Sequence, residues 1–180
     1  MLGDSLSAAY GMRPEQGWVA LLQKRLETKD YGYRVVNASV SGETTAGGLQ
    51  RLPRALQLHK PSIVVVELGS NDALRGLPIA TARENLTKIV TQAKATGAQV
   101  LLVGMRIPPN YGPRYTAEFM DMFTRLSKDQ QLPLVPFLMD KVALDDAYMQ
   151  DDGLHPNPRA QPTLLDTVWT QLAPMLDKRR

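Results

Sequence analysis

The chain has 180 residues, 43% of them hydrophobic and 22% charged, a composition of ordinary globular domains that excludes a disordered, fibrous or collagenous chain. It has no cysteine, so a disulfide scaffold, a thiolate metal site and a cysteine nucleophile are ruled out. Twenty-one basic and 18 acidic residues leave a net charge of +3; the terminal cluster Lys178-Arg179-Arg180 is too small for a nucleic-acid footprint.

A chain of this length buries about 70% of its unfolded surface, which predicts one core and a single domain over residues 1–180. No apolar run approaches the roughly 18 residues that span a bilayer, and Met1-Leu2-Gly3-Asp4 lacks a charged leader. The chain reads as free of membrane-spanning segments.

In chain order, Trp18, Leu21, Leu22 and Leu26 recur at spacings of three and four and predict a helix over 18–26. Arg34 to Val40 predicts a short strand. Ile63-Val64-Val65-Val66-Glu67-Leu68, ending at Gly69, predicts a buried parallel strand. Leu86, Ile89, Val90 and Ala93 predict a helix over Ile79 to Ala95, and Val100 to Val103 a second buried strand. The Pro-rich piece Ile107 to Pro113 reads as a loop on the ligand face. A helix over Tyr115 to Lys128, a strand over Leu134 to Phe137 and a helix over Gln161 to Leu176 complete the pattern.

Alternating strands and helices of these lengths imply an α/β fold, a doubly wound parallel sheet with helices on both faces. Such folds take ligands beyond the carboxyl ends of the strands. Nucleotide, zinc-protease and α/β-hydrolase motifs (Gly-x-Gly-x-x-Gly, a Walker loop, His-Glu-x-x-His, Gly-x-Ser-x-Gly) are absent from the sequence.

Two histidines remain for imidazole chemistry. His59 precedes a strand, on the rim away from the ligand loops, and reads as a residue of a helix end. His155 lies in Asp151-Asp152-Gly153-Leu154-His155-Pro156. A carboxylate three residues earlier can fold back and accept the ring N–H, although a turn that caps the last helix is the plainer reading. Ser5, in Gly3-Asp4-Ser5-Leu6-Ser7, is either a helix cap or a nucleophile, and a nucleophile needs a base and oxyanion donors. Turns containing Gly42 and Gly69-Ser70-Asn71-Asp72 could supply them, Gly42 through its backbone N–H and Asn71 through its amide; an Asx turn is the alternative at Asn71-Asp72. Asp4 and Asp72 read as loop-holding residues.

Taken in order, Gly3-Asp4-Ser5-Leu6-Ser7, Gly42, Gly69-Ser70-Asn71-Asp72 and Asp152-Gly153-Leu154-His155 resemble the four blocks of the SGNH (GDSL) hydrolases. Neighbouring words such as Val66-Glu67-Leu68-Gly69-Ser70-Asn71-Asp72 and Pro109-Asn110-Tyr111-Gly112-Pro113-Arg114-Tyr115 look closest to the bacterial thioesterase I / protease I / lysophospholipase L1 branch. The resemblance implies a flavodoxin-like sheet and hydrolysis of esters and acyl thioesters, including aryl esters, acyl-CoA and lysophospholipids, with no metal and no organic cofactor. It makes Ser5 the nucleophile, His155 the base and acid, and Asp152 the orienting carboxylate, with Asp151 as a rival. The N–H groups of Ser5 and Gly42 and the Asn71 side chain become the oxyanion hole.

The loops at the strand ends suggest an acyl pocket built from Ala73, Leu74, Leu77, Ile107, Pro108 and Tyr111. Two other readings stay open here: a carbohydrate acetylesterase of the same fold, or a noncatalytic acyl- or lipid-binding module. The expected partner is a small acyl ester or thioester, with no nucleic acid, and the protein is expected to be monomeric. One departure from the family pattern is that only Met1-Leu2 precede Gly3, where a strand of about five or six residues is usual. The first strand is therefore expected to be truncated. A natural start further upstream would also carry any export signal, and the resemblance implies a periplasmic or secreted enzyme.

Overall fold

The computed structural model describes residues 1–177; the basic cluster Lys178-Arg179-Arg180 lies outside the described residues. Among the described residues, four parallel strands form one sheet in the order β1 (Leu2–Gly3), β2 (Ile63–Glu67), β3 (Gln99–Val103) and β4 (Leu134–Val135). The register pairs Gly3 with Glu67, Val66 with Leu102, and Val103 with Val135. The central strands are apolar on both faces, as a sheet covered on both sides requires, and Val66, Leu101, Leu102 and Val103 are completely buried.

The helices are α1 (Trp18–Thr28), α2 (Thr45–His59), the short α3 (Ser70–Leu74), α4 (Ile79–Ala95), α5 (Pro113–Gln130) and α6 (Gln161–Leu172). α1 packs against α6, while α4 packs against both α2 and α5, giving the two helical layers of a doubly wound fold. In α4, Leu86, Ile89, Val90 and Ala93 are buried, as their spacing predicts. In α6, Leu164, Leu165, Val168 and Leu172 are buried, each worth about 1.5–3 kcal/mol relative to exposure.

Several boundaries differ from expectation: α1 runs on to Thr28 rather than Leu26, α5 covers Pro113–Gln130 rather than Tyr115–Lys128, and three further differences have a local cause. Arg34–Val40 forms no assigned strand, yet it runs along the free edge of β1: the Met1 amino group donates to the Val36 carbonyl at 2.7 Å, Ala38 N to Met1 O at 2.9 Å, and Val40 N to Gly3 O at 3.0 Å. The segment thus satisfies the backbone of β1 without a ladder regular enough to be a strand. The strand expected over Leu134–Phe137 stops at Val135, because Pro136 has no N–H to donate. The last helix ends at Leu172 and continues as a 3₁₀ turn over Ala173–Met175, where Pro174 ends the regular ladder. β1 is two residues long, and its carboxyl end delivers Ser5 to the same rim as the loops after β2 and β3. His59 closes α2 at the opposite rim, ahead of β2.

Candidate active site

The chain leaves β1 at Gly3 and turns at once. Asp4 Oδ1 accepts from the Leu6 N–H at 3.0 Å, while Ala8 N donates to Asp4 O and Tyr10 N to Ser5 O. This Asx turn holds Ser5 at the end of the strand.

The second component is built by a short antiparallel bridge between Met149 and Pro156. Gln150 N donates to His155 O at 2.8 Å, and Gly153 N to Gln150 O at 2.9 Å, folding the intervening residues into a tight turn. Within it, Asp152 Oδ1 accepts from the N–H groups of Leu154 and His155, both at 2.9 Å. Asp152 Oδ2 lies 2.6 Å from His155 Nδ1, and His155 Nε2 lies 2.8 Å from Ser5 Oγ. A carboxylate at Nδ1 places the ring proton there, leaving Nε2 as the acceptor that faces the Ser5 hydroxyl. Desolvation pushes the Asp152 carboxyl up, but the two backbone N–H bonds and the bond and charge of the His155 ring outweigh it and hold the group down at about 2. Asp151 has no recorded bond to His155; the turn brings Asp152 to the ring instead.

Gly42 sits in a turn at φ 78°, a left-handed conformation that favours glycine. Arg75 holds this turn by donating to the Gly42 carbonyl at 2.9 Å. Asp72 fixes the start of α2 beside it, accepting from Thr45 N at 2.8 Å and Thr45 Oγ1 at 2.6 Å. Asn71 enters on α3 after Gly69, which has φ 121°. Its amide donates to Asp4 Oδ2 at 3.1 Å and to the Glu43 carbonyl at 3.0 Å, so it spans the Ser5 and Gly42 turns. Among the described residues, the backbone N–H groups of Ser5 and Gly42 have no recorded acceptor.

Asp4 and Asp72 are both buried and both hold loops, but Asp4 also meets a group that the strand pattern hides. Glu67 ends β2 with no exposed surface, its Oε2 accepting from Asp4 N and Ser7 Oγ while its Oε1 is buried without a partner. A carboxylate inside an otherwise apolar buried strand was the available sequence signal. Tyr10 is a second residue that spacing does not reveal. Its ring lies 4.5 Å from that of His155, centroid to centroid, and Gln150 holds it by donating to the Tyr10 carbonyl at 2.9 Å.

The expected acyl pocket is only partly accessible. Ala73 and Ile107 pack with the hydrophobic core, at 0% and 6% exposure, because the loops fold their apolar residues inward. Leu77, Pro108 and Tyr111 are exposed and Leu74 is half-buried. Tyr111 donates to the Leu74 carbonyl at 3.0 Å, and Tyr115 to the Leu77 carbonyl at 2.7 Å, strapping the loop after α3 to the Pro-rich segment. A cleft of about 870 Å³ between α4 and α5 includes Arg83, Arg106, Pro109 and Met120 and is lined by none of Ser5, Asn71 or His155.

Residues 1–161 match the family model described as GDSL-like Lipase/Acylhydrolase family. The chain is 51% identical to Esterase TesA of Pseudomonas aeruginosa over 98% of its own length and 88% of that protein. It is 45% identical to thioesterase 1/protease 1/lysophospholipase L1 of Escherichia coli K12, over 98% and 84% respectively. Among solved structures, the psychrotrophic esterase EstA from Pseudoalteromonas sp., inhibited by monoethylphosphonate, superposes with a TM-score of 0.93 at 43% identity, covering 97% of this chain and 95% of that one. With its motifs on the strand ends and this similarity along nearly the whole length, the chain belongs to the GDSL-like lipase/acylhydrolase family.

Proposed function

We propose that this protein hydrolyses carboxylic esters and acyl thioesters through an acyl-serine intermediate on Ser5. The observation that carries the reading is the continuous relay from Asp152 Oδ2 through His155 to Ser5 Oγ, with contacts of 2.6 and 2.8 Å. His155 Nε2 takes the hydroxyl proton as Ser5 Oγ attacks the carbonyl carbon. The negative charge that moves onto the carbonyl oxygen meets the N–H groups of Ser5 and Gly42. Asn71 joins them by redirecting one of the two amide hydrogens now given to Asp4 and Glu43. The tetrahedral intermediate collapses, the bond to the leaving oxygen or sulfur breaks, and His155 gives the proton to the leaving group. Water then attacks the acyl-serine with His155 again as base, releasing the acid and restoring Ser5. Asp152 stays ionised throughout, orienting the ring and stabilising the imidazolium.

Aryl esters, acyl-CoA and lysophospholipids are the substrate classes; the name of the Escherichia coli relative supports thioesters and lysophospholipids, and an arylesterase of Vibrio mimicus, 44% identical over 96% of this chain and 86% of that protein, supports aryl esters. The exposed Leu77, Pro108 and Tyr111, with Leu74, form the apolar surface for the acyl chain. Apolar contact gains only about 0.8 kcal/mol per methylene, so neighbouring chain lengths are discriminated weakly. The protein acts as a monomer in the periplasm or after secretion; no helix among the described residues is long and apolar enough to cross a membrane. Fractionation of the native host and sedimentation analysis check these two points.

The reading is tested with a hydrolysis panel of p-nitrophenyl octanoate, octanoyl-CoA, lysophosphatidylcholine and an acetylated sugar, with Ser5→Ala as control. The first three are turned over and the sugar poorly, all lost in the variant. Turnover by Ser5→Ala at the wild-type rate would refute the assignment of Ser5.

A further inference from the structure

Glu67 is the last residue of β2 and pairs across the sheet with Gly3, at the point where β1 ends and the Ser5 turn begins. Its side chain and that of Asp4 are completely buried. Glu67 Oε2 accepts from Asp4 N at 3.2 Å and from Ser7 Oγ at 2.8 Å, whereas Oε1 has no partner among the described residues. Asp4 in turn accepts from Leu6 N at Oδ1 and from Asn71 Nδ2 at Oδ2. With Oε2 on the Asp4 N–H, the Glu67 carboxyl lies beside Asp4, and each carboxyl acts on the titration of the other. No basic side chain forms a salt bridge with either among the described residues. Among the described residues, the other titratable group acting on the pair is His155, through its charge on Asp4.

Two neighbouring carboxyl groups, both fully buried and without a basic partner among the described residues, do not both ionise, so the pair holds a proton. Its location follows from the hydrogen bonds: Oε2 already accepts two donors, as the carbonyl oxygen of a protonated acid does, which leaves the unpartnered Oε1 as the hydroxyl. We propose that Glu67 is a positioning residue, a neutral acid that keeps the proton of the pair and leaves the charge on Asp4. The single negative charge left on Asp4 then holds the Ser5 turn through Leu6 N–H and the Asn71 amide through Nδ2. Burial pushes both carboxyls upward, Asp4 to about 6, and the Asp4 charge adds to the rise at Glu67. The pair also ties the reactive turn to β2, which matters when β1 offers only two residues of strand pairing.

This inference rests on Ser5 and Asn71 being reactive residues, but the proton is observable without turnover. Infrared spectra of wild type and Glu67→Gln at pH 7 are compared: wild type is expected to show the C=O stretch of a protonated carboxylic acid, and Glu67→Gln to lack it. The Gln amide is neutral, as the acid is, so Glu67→Gln retains kcat within about threefold. Glu67→Leu keeps the volume but no polar group; it loses about tenfold or more in kcat with KM moved far less, because misplacing reactive groups acts on the transition state. Glu67→Gln cannot ionise, so its kcat persists to higher pH than that of wild type, a change that simple packing loss does not produce. Absence of the acid band in wild type, or equal damage in Glu67→Gln and Glu67→Leu, would overturn the proposal. If Glu67→Leu does not fold, the band and the Gln pH profile decide. Failure of the acyl-serine reading itself would appear separately, as loss of Ser5 labelling by a fluorophosphonate with the band intact.

Discussion

Two carboxylates support the Ser5 turn, Asp152 through the His155 ring and Glu67 through Asp4 N–H and Ser7, and their surroundings give them opposite character. Asp152 lies in a local turn, three residues from His155 and 38% exposed at its side chain, where N–H donors and the ring hold it ionised down to about pH 2. Glu67 lies 63 residues from the Asp4 N–H that it binds, completely buried, with one oxygen unpartnered. Burial favours its neutral form. The same functional group thus serves as a fixed anion where water and donors support charge, and as a neutral acid where they do not.

The largest effect expected from breaking this contrast is on the exposed side. Asp152→Asn keeps the shape of the turn but replaces the acceptor at Nδ1, and kcat should fall by about 10³–10⁴. Asp151→Asn, one residue away with no recorded bond to the ring, should change kcat by less than about threefold. Steady-state kinetics on an aryl ester separates the two, and equal losses would show that Asp152 has no special place.

Asn71 links the buried pair to the proposed oxyanion site. Asn71→Ala should lower kcat by about 10²–10³ with little change in KM, since the lost donor matters most once charge has developed. A loss confined to KM would place Asn71 in ground-state binding instead.

The smallest effect, and the one that sharpens the comparison, is the pH dependence of stability. The folded-state pKa of Asp4 is raised to about 6, so between about pH 4 and pH 6 the folded protein retains a proton that the unfolded chain releases. Asp4 therefore contributes a stability that declines as pH rises through this window. Asp152, depressed to about 2, contributes with the opposite sign: its stabilisation is present above about pH 4 and lost as pH falls toward 2. Its exposure keeps that contribution small. Urea unfolding from pH 3 to 7 should show this slope in wild type and a shallower one in Asp4→Asn, where Glu67, which also keeps its proton in the folded state, supplies the remainder; an identical slope in both would assign it elsewhere.

The same contrast marks what could be read from the chain. α4 was legible to its end residues because Leu86, Ile89, Val90 and Ala93 repeat on one face, and β2 and β3 because they are short β-branched runs. The Asp152–His155 turn was legible because its chemistry is local in sequence. Glu67 was not, since a strand reading averages over the run Ile63 to Leu68 and cannot see Asp4 facing it across the sheet. Arg34–Val40 has the composition of a strand but pairs only through scattered bonds along β1. Ala73 and Ile107 lie on the ligand side of the sheet, yet burial in the core takes them away from solvent, a matter of side-chain direction that loop composition does not encode.

The acyl-serine assignment is the central claim, and covalent labelling tests it most directly. Intact-mass spectrometry after treatment with a fluorophosphonate should show one adduct, mapped to Ser5 by peptide analysis and absent from Ser5→Ala. An unmodified wild-type protein, or the same adduct on Ser5→Ala, would contradict it.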